Sequence, residues 1–517
     1  MNLPCLHPRY GLPNLDSGEG TVPPKKNFVR TAKNMTMAAN ITHCDLLIIG
    51  GGPAGLAAGA LAADRGLRTV LVDERPTLGG QIYKQPGPGF VVLDAAKMGR
   101  DYRRGVGLIQ EVHSAGVDVR SGTSVLSIHD STAVLMHEGS ATTTMLRAKR
   151  VLLAPGAHDR PVVFPGWTLP GVITAGGAQS LVKTARVIPG NRIAFAGSGP
   201  LTLAFPAQLR HYGVNVVLAL EAGPPPGPRI ALRLLRAGYR NKELLFDGVS
   251  YRRQLLQARI RPRYRRIIVR AEGEGRVEEV VHAAVDSEWR IIADTEQSVA
   301  VDTVCLGYGF TPSSELYRLV DCSFNYDENL GGYVVVLDEW CRTSIDGVLG
   351  AGDGTGVRGS LVAIDQGRIA ALGAAMDLGV LSELEARKLA APIRRRLAAK
   401  ERFRRQLLGM YRVGGGIYEL ATPETMVCRC EEITQAQLNL AVDASSDINS
   451  VKSYTRAGMG LCQGRNCQRH IAAMIAAHSG TALGEVPAAT QRPPVRPVPL
   501  GTLADASIKD GGLFTRD

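Results

Sequence analysis

The stretch Asp45-Leu46-Leu47-Ile48-Ile49-Gly50-Gly51-Gly52-Pro53-Ala54-Gly55 runs from an apolar segment straight into a glycine-rich turn. An alanine-rich segment at 56–64 follows, and then a second apolar segment at 69–72 that ends at Asp73. The order of strand, glycine turn, helix, strand and acid is typical of a dinucleotide-binding domain of the α/β class. In that arrangement the first glycine permits a tight turn, the second lets the backbone approach a pyrophosphate, and the third lets helix and strand touch.

A dinucleotide site follows from this pattern, because the N-terminus of the helix points free N–H groups at the phosphates. Asp73 lies where an acidic residue binds the hydroxyls of the adenosine ribose, and Glu74 is its neighbour. A purely structural glycine turn is the alternative, and it is disfavoured because all the parts occur in order. The pattern assigns cofactor binding to Gly50, Gly52, Pro53, Ala54, Gly55, Asp73 and Glu74.

Three further segments indicate that the dinucleotide is FAD. A Leu-Gly-Gly-Gln turn at 78–81 can run beside a flavin, an apolar strand at 150–154 leads into Pro-Gly-Ala, and Gly-Val-Leu-Gly-Ala-Gly-Asp occupies 347–353. Together with Val125 they add the candidate residues Gly80, Gln81, Val125, Ala154, Pro155, Gly156, Gly352 and Asp353. The last motif resembles the two-dinucleotide-fold flavoproteins such as thioredoxin and glutathione reductases, which implies that Asp353 contacts the ribityl-pyrophosphate region. Asp353 could equally cap the next helix, and the two roles are compatible.

A second glycine loop repeats the same order between Arg192 and Glu221, and it predicts a second Rossmann-like domain inserted between the halves of the first. Its candidate pocket residues are Gly197, Gly199, Pro200, Leu201 and Glu221. Thr202 replaces the third glycine and adds bulk where helix and strand meet. A working NAD site and a vestigial or differently used pocket, for example for an ATP-like nucleotide, therefore both remain open. No basic residue directly follows Glu221, which favours NADH over NADPH, and the absence of a Cys-x-x-Cys motif excludes thioredoxin-reductase chemistry.

Four cysteines near the C-terminus have the spacing of a metal site. They are Cys428, Cys430, Cys462 and Cys467, the complement that a 2Fe–2S cluster needs. Structural zinc is the alternative, but its cysteine pairs are usually separated by two to four residues rather than one. Gly458 and Gly460 can bring backbone N–H groups to cluster sulfur, and nearby lysine and arginine side chains would favour the reduced cluster. His470 is not expected to be a ligand, because four cysteines complete the set.

The chain as a whole, with 517 residues, is too long for one core. Its formal charge of +12 comes with arginine-rich stretches that lack interleaved aromatic residues, so no nucleic-acid partner is predicted. No apolar run reaches the roughly 20 residues that cross a bilayer, and the cysteine spacing suits a reducing compartment, so a cytoplasmic protein is expected.

The predicted boundaries are 1–42 for a disordered extension, 43–160 and 305–380 for the two halves of the FAD domain, 161–304 for the inserted NAD-like domain, 381–420 for a helical linker that Pro392 could break, 421–482 for the cluster domain and 483–517 for a Pro-rich tail.

Three motifs together resemble a known family: Phe164–Val172 (FPGWTLPGV), Gly307–Pro312 (GYGFTP) and Thr455–Cys467 (TRAGMGLCQGRNC). They are similar to the A (alpha) subunits of heteromeric opine oxidases, in the family of hydrogen cyanide synthase and hydroxyproline or proline dehydrogenase subunits. The resemblance implies an α/β two-dinucleotide-binding-domain flavoprotein, a Rossmann-like FAD domain with an inserted NAD-like domain, plus a small C-terminal bacterioferritin-associated-ferredoxin-like 2Fe–2S domain. Pro155, where the family more often has Thr, and Thr202 depart from the pattern.

The same resemblance implies two partner proteins, a flavoprotein subunit related to D-amino-acid oxidases and a further small subunit. It also implies an FMN cofactor at a subunit interface. The leading hypothesis is an electron-transfer subunit of an opine (octopine or nopaline) or secondary-amine dehydrogenase, which passes electrons to a membrane-linked or dye acceptor at the inner face of the membrane. No catalytic base stands out in the sequence, which agrees with substrate oxidation in a partner. The alternatives are a self-contained NADH-dependent flavin and iron–sulfur reductase, and a non-enzymatic module with structural zinc.

Overall fold

The computed structural model describes residues 42–95, 98–140, 142–210, 212–228, 242–408 and 411–503. The predicted N-terminal extension lies outside these residues, apart from its last position. The first part of the described chain contains β1 Thr42–Ile49, α1 Pro53–Asp64, β2 Thr69–Val72, α2 Arg100–Ser114, β3 Asp118–Arg120, β4 Thr123–His129, β5 Thr132–His137, β6 Thr143–Leu153 and β7 Ala157–Asp159. The predicted order of strand, glycine turn, helix and strand is therefore present at the start.

A second group of elements forms the inserted domain. It comprises β8 Val172–Thr174, α3 Ala175–Lys183, β9 Ile193–Gly197, α4 Leu201–Arg210, β10 Val216–Glu221, α5 Lys242–Gln257, β11 Arg263–Tyr264, β12 Arg266–Glu272, β13 Glu279–Ala284, β14 Gln297–Ala300 and β15 Thr303–Gly307. Strands β11, β10, β9, β15 and β8 make a parallel five-stranded sheet in that order, and β12 to β14 make an antiparallel one. Because β15 pairs with β9 over its whole length, the inserted domain extends to Gly307, three residues past the boundary expected at 304.

The chain then returns to the first domain. Its elements are β16 Phe310–Pro312, α6 Glu315–Leu319, β17 Phe324–Asp327, β18 Gly332–Val335, β19 Val348–Gly350, α7 Ser360–Asp377 and α8 Glu383–Leu408. Strand β19 pairs in parallel with β6 and so joins a seven-stranded sheet whose main order is β3-β2-β1-β6-β5-β4. The first sheet is therefore completed by a strand that follows the second parallel sheet in the sequence. Helix α8 runs through Pro392 rather than breaking there, with Ala386, Ala390 and Ile393 buried around it.

The C-terminal part is small and mostly helical, with β20 Met426–Cys428, β21 Ile433–Thr434, α9 Gln435–Ala444, α10 Ile448–Thr455 and α11 Gln468–Ser479. Its buried side chains form one continuous hydrophobic cluster with those of the inserted domain. The indole Nε1 of Trp167 donates a hydrogen bond of 2.6 Å to the carbonyl of Met426 across this boundary. The shared core therefore fixes the cysteine segment relative to the two sheets. None of the helices described is both long and apolar enough to cross a membrane.

Candidate functional site

A cavity of about 550 Å³ opens at the carboxyl ends of β1, β2 and β6, where ligands bind in doubly wound sheets, and we call it the flavin cavity after the cofactor predicted from the sequence. Its wall contains all but one of the cofactor residues predicted from the sequence: Gly50, Gly52, Pro53, Ala54, Asp73, Glu74, Gly80, Gln81, Val125, Ala154, Pro155, Gly156, Gly352 and Asp353. Gly55 does not line the cavity, because it packs against the turn. A Cβ atom at Gly55 would lie 1.9 Å from the carbonyl oxygen of Gly50. Its role is therefore the close contact expected of the third glycine.

The acid at the end of β2 lies beside the glycine turn. Asp73 accepts hydrogen bonds from the N–H groups of Gly51 at 2.6 Å and Arg75 at 2.8 Å, and burial raises the pKa of its carboxyl. Helix α1 begins at Pro53, in the position where the missing N–H of proline costs nothing. The turn therefore presents the backbone of a helix N-terminus and a fixed carboxylate to the cavity, which suits the phosphates and ribose of a dinucleotide.

Asp353 lies in the wall of the cavity and binds the loop that precedes helix α7, but its side chain does not cap that helix, whose N-cap is Gly359. Its Oδ1 accepts hydrogen bonds from the N–H groups of Arg358 at 2.8 Å and Gly359 at 2.9 Å, immediately before helix α7 begins at Ser360. Burial raises the pKa of this carboxyl, and the residue also lines the cavity. These contacts hold the side chain in place while it faces the space of the cofactor.

Lys84 is a buried cation behind the cavity wall that sequence reasoning missed. It is 5% exposed, and its Nζ donates hydrogen bonds to Oε1 of Gln81 and to Oγ of Ser180, two residues that line the cavity. Burial, reinforced by two neighbouring cations, lowers the pKa of Lys84 to about 7. Asp159, another lining residue, has its pKa raised by burial. The two groups act on each other electrostatically, since Asp159 raises the pKa of Lys84 and Lys84 lowers that of Asp159, although burial outweighs both effects.

The second glycine loop differs from the first in what its acid binds. Glu221 is 2% exposed, and its Oε2 accepts hydrogen bonds from Oγ1 of Thr202 at 2.7 Å and N–H of Gly199 at 3.1 Å. Its Oε1 accepts the N–H of Gly223 at 2.8 Å, and burial raises the pKa of the carboxyl. The residue that replaces the third glycine thus engages the acid from inside the protein. Of the five pocket residues predicted for this loop, all of them described, Leu201 alone lines the flavin cavity.

The four cysteine thiols lie together as two hydrogen-bonded pairs, Cys428 with Cys467 and Cys430 with Cys462. The hydrogen bond that Cys467 donates lowers the pKa of Cys428 to about 5 and raises the pKa of Cys467. Within the part of the chain that the structure describes, no three His, Cys, Asp or Glu side chains come close enough to hold a single metal ion. Cys430 and Cys462 also act electrostatically on Cys467, so the two pairs lie close together, and their arrangement by itself identifies no particular metal centre.

Backbone N–H groups approach these sulfur atoms, as the glycines in the sequence predicted. They belong to Gly458 and Glu431 at Cys428, and to Gly464 and Asn466 at Cys462. Gly460 lies against the other pair, where a Cβ atom would come 2.3 Å from the Cβ of Cys430. Such N–H contacts stabilise thiolates and metal-bound sulfur. The ring of His470 contacts a different partner, since its Nε2 is hydrogen-bonded to Oε1 of Gln435 at 2.9 Å.

The positive charge expected around the cysteines is largely neutralised by acidic partners. Arg456 pairs with Glu431 at 3.0 Å, and Arg469 pairs with Glu328 and also donates to Tyr418 Oη at 2.7 Å. These partners come from distant parts of the chain, which is why the sequence suggested more net charge than the fold leaves. The arginines here serve mainly to fasten the cysteine segment to its neighbours.

Arg465 connects the cysteine loop to the flavin cavity. It lies between Cys462 and Cys467, lines the cavity, and donates a hydrogen bond of 2.8 Å to Oε1 of Glu315, another lining residue. Burial acts to raise the pKa of Glu315, but the charge and hydrogen bond of Arg465 outweigh it, so this pKa is held below its usual range. The loop that carries two thiols therefore forms part of the cavity wall.

We expect Arg465→Met to destabilise the protein at neutral pH by about 2–3 kcal/mol, less than for a fully buried pair because Arg465 is partly exposed. A carboxyl whose pKa is lowered in the folded state adds stability above its unfolded pKa and loses it as pH falls. Urea unfolding of the wild-type protein and of Arg465→Met should therefore show a difference in the free energy of unfolding that becomes smaller as the pH is lowered towards about 4. The control Arg387→Met removes exposed ion pairs with Glu339 and Glu383 and should leave the stability close to that of the wild-type protein at both pH values. An equal loss at both pH values would contradict the ionic explanation.

The Pro-rich tail closes one side of the cavity. Val495 is buried in the cluster that contains Leu47 and Val125, and its N–H donates to the carbonyl of Leu126 at 2.9 Å. Arg496 pairs with Glu74 at 3.0 Å, and both tail residues line the cavity. The spacing of apolar residues suggested a packed tail, but no sequence signal indicated where it would pack.

The two nucleotide-type sheets, the shared cavity and the two glycine loops define a flavoprotein with two dinucleotide-binding domains. Residues 44–378 match the family described as pyridine nucleotide-disulphide oxidoreductase, and the chain belongs to it. Membership of this class implies FAD. Residues 422–506, which contain all four cysteines, match the sarcosine oxidase A3 domain. The chain is thus a flavin-dependent oxidoreductase of α/β fold.

Closer relatives narrow the family to subunits of larger enzymes. The chain is 32% identical to the A subunit of opine oxidase from Agrobacterium tumefaciens (strain Ach5), over 92% of this chain and 94% of the relative. It is 34% identical to hydrogen cyanide synthase subunit HcnB of Pseudomonas protegens, over 81% of this chain and 89% of the relative. Among solved structures, L-proline dehydrogenase from P. horikoshii shares the fold, with a TM-score of 0.64, 19% identity and coverage of 92% of this chain and 82% of that one. The chain belongs to the family of opine oxidase A subunits and HcnB.

Proposed function

We propose that this chain is the FAD- and 2Fe–2S-containing electron-transfer subunit of a heteromeric opine or secondary-amine dehydrogenase. Such an enzyme oxidises a C–N bond of an amino-acid-derived substrate to an imine, which water hydrolyses. A partner subunit related to D-amino-acid oxidases would perform the substrate oxidation, and a membrane-linked or dye acceptor would receive the electrons. The relatives named as subunits of opine oxidase and hydrogen cyanide synthase support the heteromeric part of this proposal.

The observation that carries the proposal is the shared position of Arg465. The same short loop contributes two of the four thiols and a wall residue of the flavin cavity. A partly buried ion pair with Glu315 holds that contact in place. A chain whose only task was to bind a flavin would not need a thiol loop at this wall, whereas a one-electron centre must lie near the flavin it serves.

The spacing of the cysteines in the sequence supports an iron–sulfur cluster over structural zinc. Four thiolates are the complement of a 2Fe–2S cluster. The cysteine pairs of structural zinc sites are usually separated by two to four residues, whereas one residue separates Cys428 from Cys430. The backbone N–H groups at Cys428 and Cys462 would stabilise cluster-bound sulfur. When bound, the cluster would supply single-electron transfer beside a flavin that accepts two electrons.

The cavity residues would bind and orient FAD. The turn at Gly50 and Gly52 would hold the pyrophosphate, Asp73 the ribose, and Asp353 the ribityl-pyrophosphate region. Lys84 Nζ, behind the wall, would hold the side chains of Gln81 and Ser180 in place at the turn beside the flavin. Buried Asp159 would balance its charge. No bound substrate is needed for these tasks, which suits a subunit that receives electrons.

Separate and joint expression tests the division of labour. The chain alone is expected to bind FAD and iron but to oxidise opines and secondary amines at no more than a trace rate. Co-expression with the D-amino-acid-oxidase-like subunit should restore dye-linked activity. Full amine-oxidising activity from the single chain would refute this division.

A self-contained NADH reductase is the second candidate, favoured by the parallel sheet and glycine loop of the inserted domain. In that loop Thr202 replaces the third glycine and donates a hydrogen bond to Glu221, so we expect excess NADH to leave the flavin of the purified chain oxidised under anaerobic conditions. Flavin absorbance should not change over minutes, while dithionite added afterwards should bleach it completely. Rapid bleaching by NADH would replace the leading proposal with this one.

A further inference from the structure

A small second cavity, of about 90 Å³, lies between the β7–β16 ribbon, helix α6 and the cysteine loop. We call it the donor chamber and define it by six lining residues: His158, Thr311, Arg318, Arg465, Gln468 and Arg469. His158 and Arg465 also line the flavin cavity, so the two spaces adjoin. The chamber is far too small for a nucleotide but larger than the space of one water molecule.

Unpartnered polar atoms are concentrated in this chamber. Among the described residues, nine buried side-chain N or O atoms lack a hydrogen-bond partner, and four of these atoms belong to chamber residues. The four are His158 Nδ1, Thr311 Oγ1, Arg318 Nε and Gln468 Nε2. His158 and Thr311 are direct cross-strand partners, so their side chains share one face of the ribbon. Because buried polar groups are nearly always hydrogen-bonded, such a concentration indicates a polar guest.

The chemistry of these atoms fixes the kind of guest. A guanidinium Nε–H and a carboxamide NH₂ can only donate hydrogen bonds, so the guest must accept them. Arg465 is paired with Glu315, which also lines the chamber and acts on the charge of Arg318, and Arg469 is paired with Glu328. Arg318 itself donates to the carbonyl of Ala489 at 2.9 Å and, within the described residues, forms no ion pair at contact distance. The three guanidinium groups thus have two carboxylate partners between them, and the remaining positive charge favours an anionic acceptor.

We propose that the donor chamber binds one small oxyanion, either inorganic phosphate or a short carboxylate. Its oxygens would accept hydrogen bonds from Arg318 Nε, Gln468 Nε2 and Thr311 Oγ1, and its charge would neutralise Arg318. The site is separate from the dinucleotide site and does not depend on the function proposed above. A bound anion would place an exchangeable negative charge between the flavin cavity and the cysteine loop, since Arg465 of that loop lines both the chamber and the flavin cavity.

The test is a titration of the full-length protein, with its cofactors bound, by sodium phosphate and separately by sodium acetate at constant ionic strength. Isothermal calorimetry and thermal unfolding are the measurements. One of the two anions is expected to bind saturably. Saturable binding of phosphate would identify the guest as phosphate, and saturable binding of acetate would identify it as a short carboxylate. Gln468→Glu keeps the shape of the side chain but replaces the donor with a carboxylate, so it should weaken binding at least about tenfold. Thr311→Val removes one hydroxyl and should weaken binding by roughly threefold to tenfold.

Ser127→Ala is the matched control, because Ser127 Oγ is also buried without a partner among the described residues but lies outside the chamber. It should bind the anion as the wild-type protein does. If Gln468→Glu fails to fold, Thr311→Val carries the test alone. The proposal is overturned if neither anion binds saturably, which would mean that water fills the chamber, or if the chamber variants bind as well as the control.

Discussion

Gly50→Ala is expected to yield a chain that purifies with less than about a tenth of the FAD bound by the wild-type protein. Gly50 has a φ of +114°, a conformation that residues with a side chain rarely adopt. A Cβ atom there would lie 2.2 Å from the carbonyl oxygen of Ala154, so the turn and the β6 end of the cavity must move apart. Because both sides of that contact line the cavity, the displacement acts on the cofactor site itself. The measurement is visible flavin absorbance per mole of protein.

The second loop provides a control with the same backbone strain. Gly199 has a φ of +106°, but a Cβ atom there would meet no heavy atom within 4 Å. Gly199→Ala should therefore cost about 1–3 kcal/mol of local stability while the flavin content stays near the wild-type level. If both variants lost FAD equally, general destabilisation rather than the contact at Ala154 would be the cause.

Local chemistry explains which parts of the fold could be predicted from sequence. The glycine turn, the helix after it and the acid at the end of β2 depend on residues within about 30 positions of one another, as in any βαβ unit. Helix α8 was predicted, but its continuity through Pro392 was not, because burial of Ala386, Ala390 and Ile393 favours the helix more than the local preference opposes it. The continuation of the inserted sheet to Gly307 likewise depends on pairing with β9, which the sequence alone does not reveal.

The candidate site was harder to predict where distant segments meet. Asp73 and Asp353 belong to motifs, and both line the cavity as expected. Arg465 and Glu315 are 150 positions apart and belong to no nucleotide motif, so only the fold brings them together. The environment of Glu221 could be predicted only in part. The sequence showed that Thr202 replaces a glycine, but only the fold shows that Thr202 donates a hydrogen bond to Glu221. The substitution that looked like added bulk is an internal partner for a buried carboxyl.

Cys428→Ser is expected to reduce the iron content from about two atoms per chain to nearly none while leaving FAD bound. Cys428 is buried, hydrogen-bonded to Cys467 and approached by backbone N–H groups, which makes it the best-supported thiolate of the four. A serine hydroxyl ionises far less readily and is a poor ligand for iron at neutral pH. The flavin cavity should persist, because Cys428 does not line it. Metal analysis, the visible spectrum and electron paramagnetic resonance after dithionite reduction are the measurements.

Cys305→Ala is the matched control for the loss of one buried thiol. Cys305 lies in β15, far from the cysteine loop in sequence, and burial raises the pKa of its thiol, as for an inert core residue. This variant should keep both the iron and the paramagnetic signal of the reduced cluster. A wild-type protein that contains one zinc and no iron would contradict the assignment of the thiols to a 2Fe–2S cluster. Iron that survived Cys428→Ser undiminished would show that the metal is held elsewhere, since a 2Fe–2S cluster retained by three of these thiols alone should be labile.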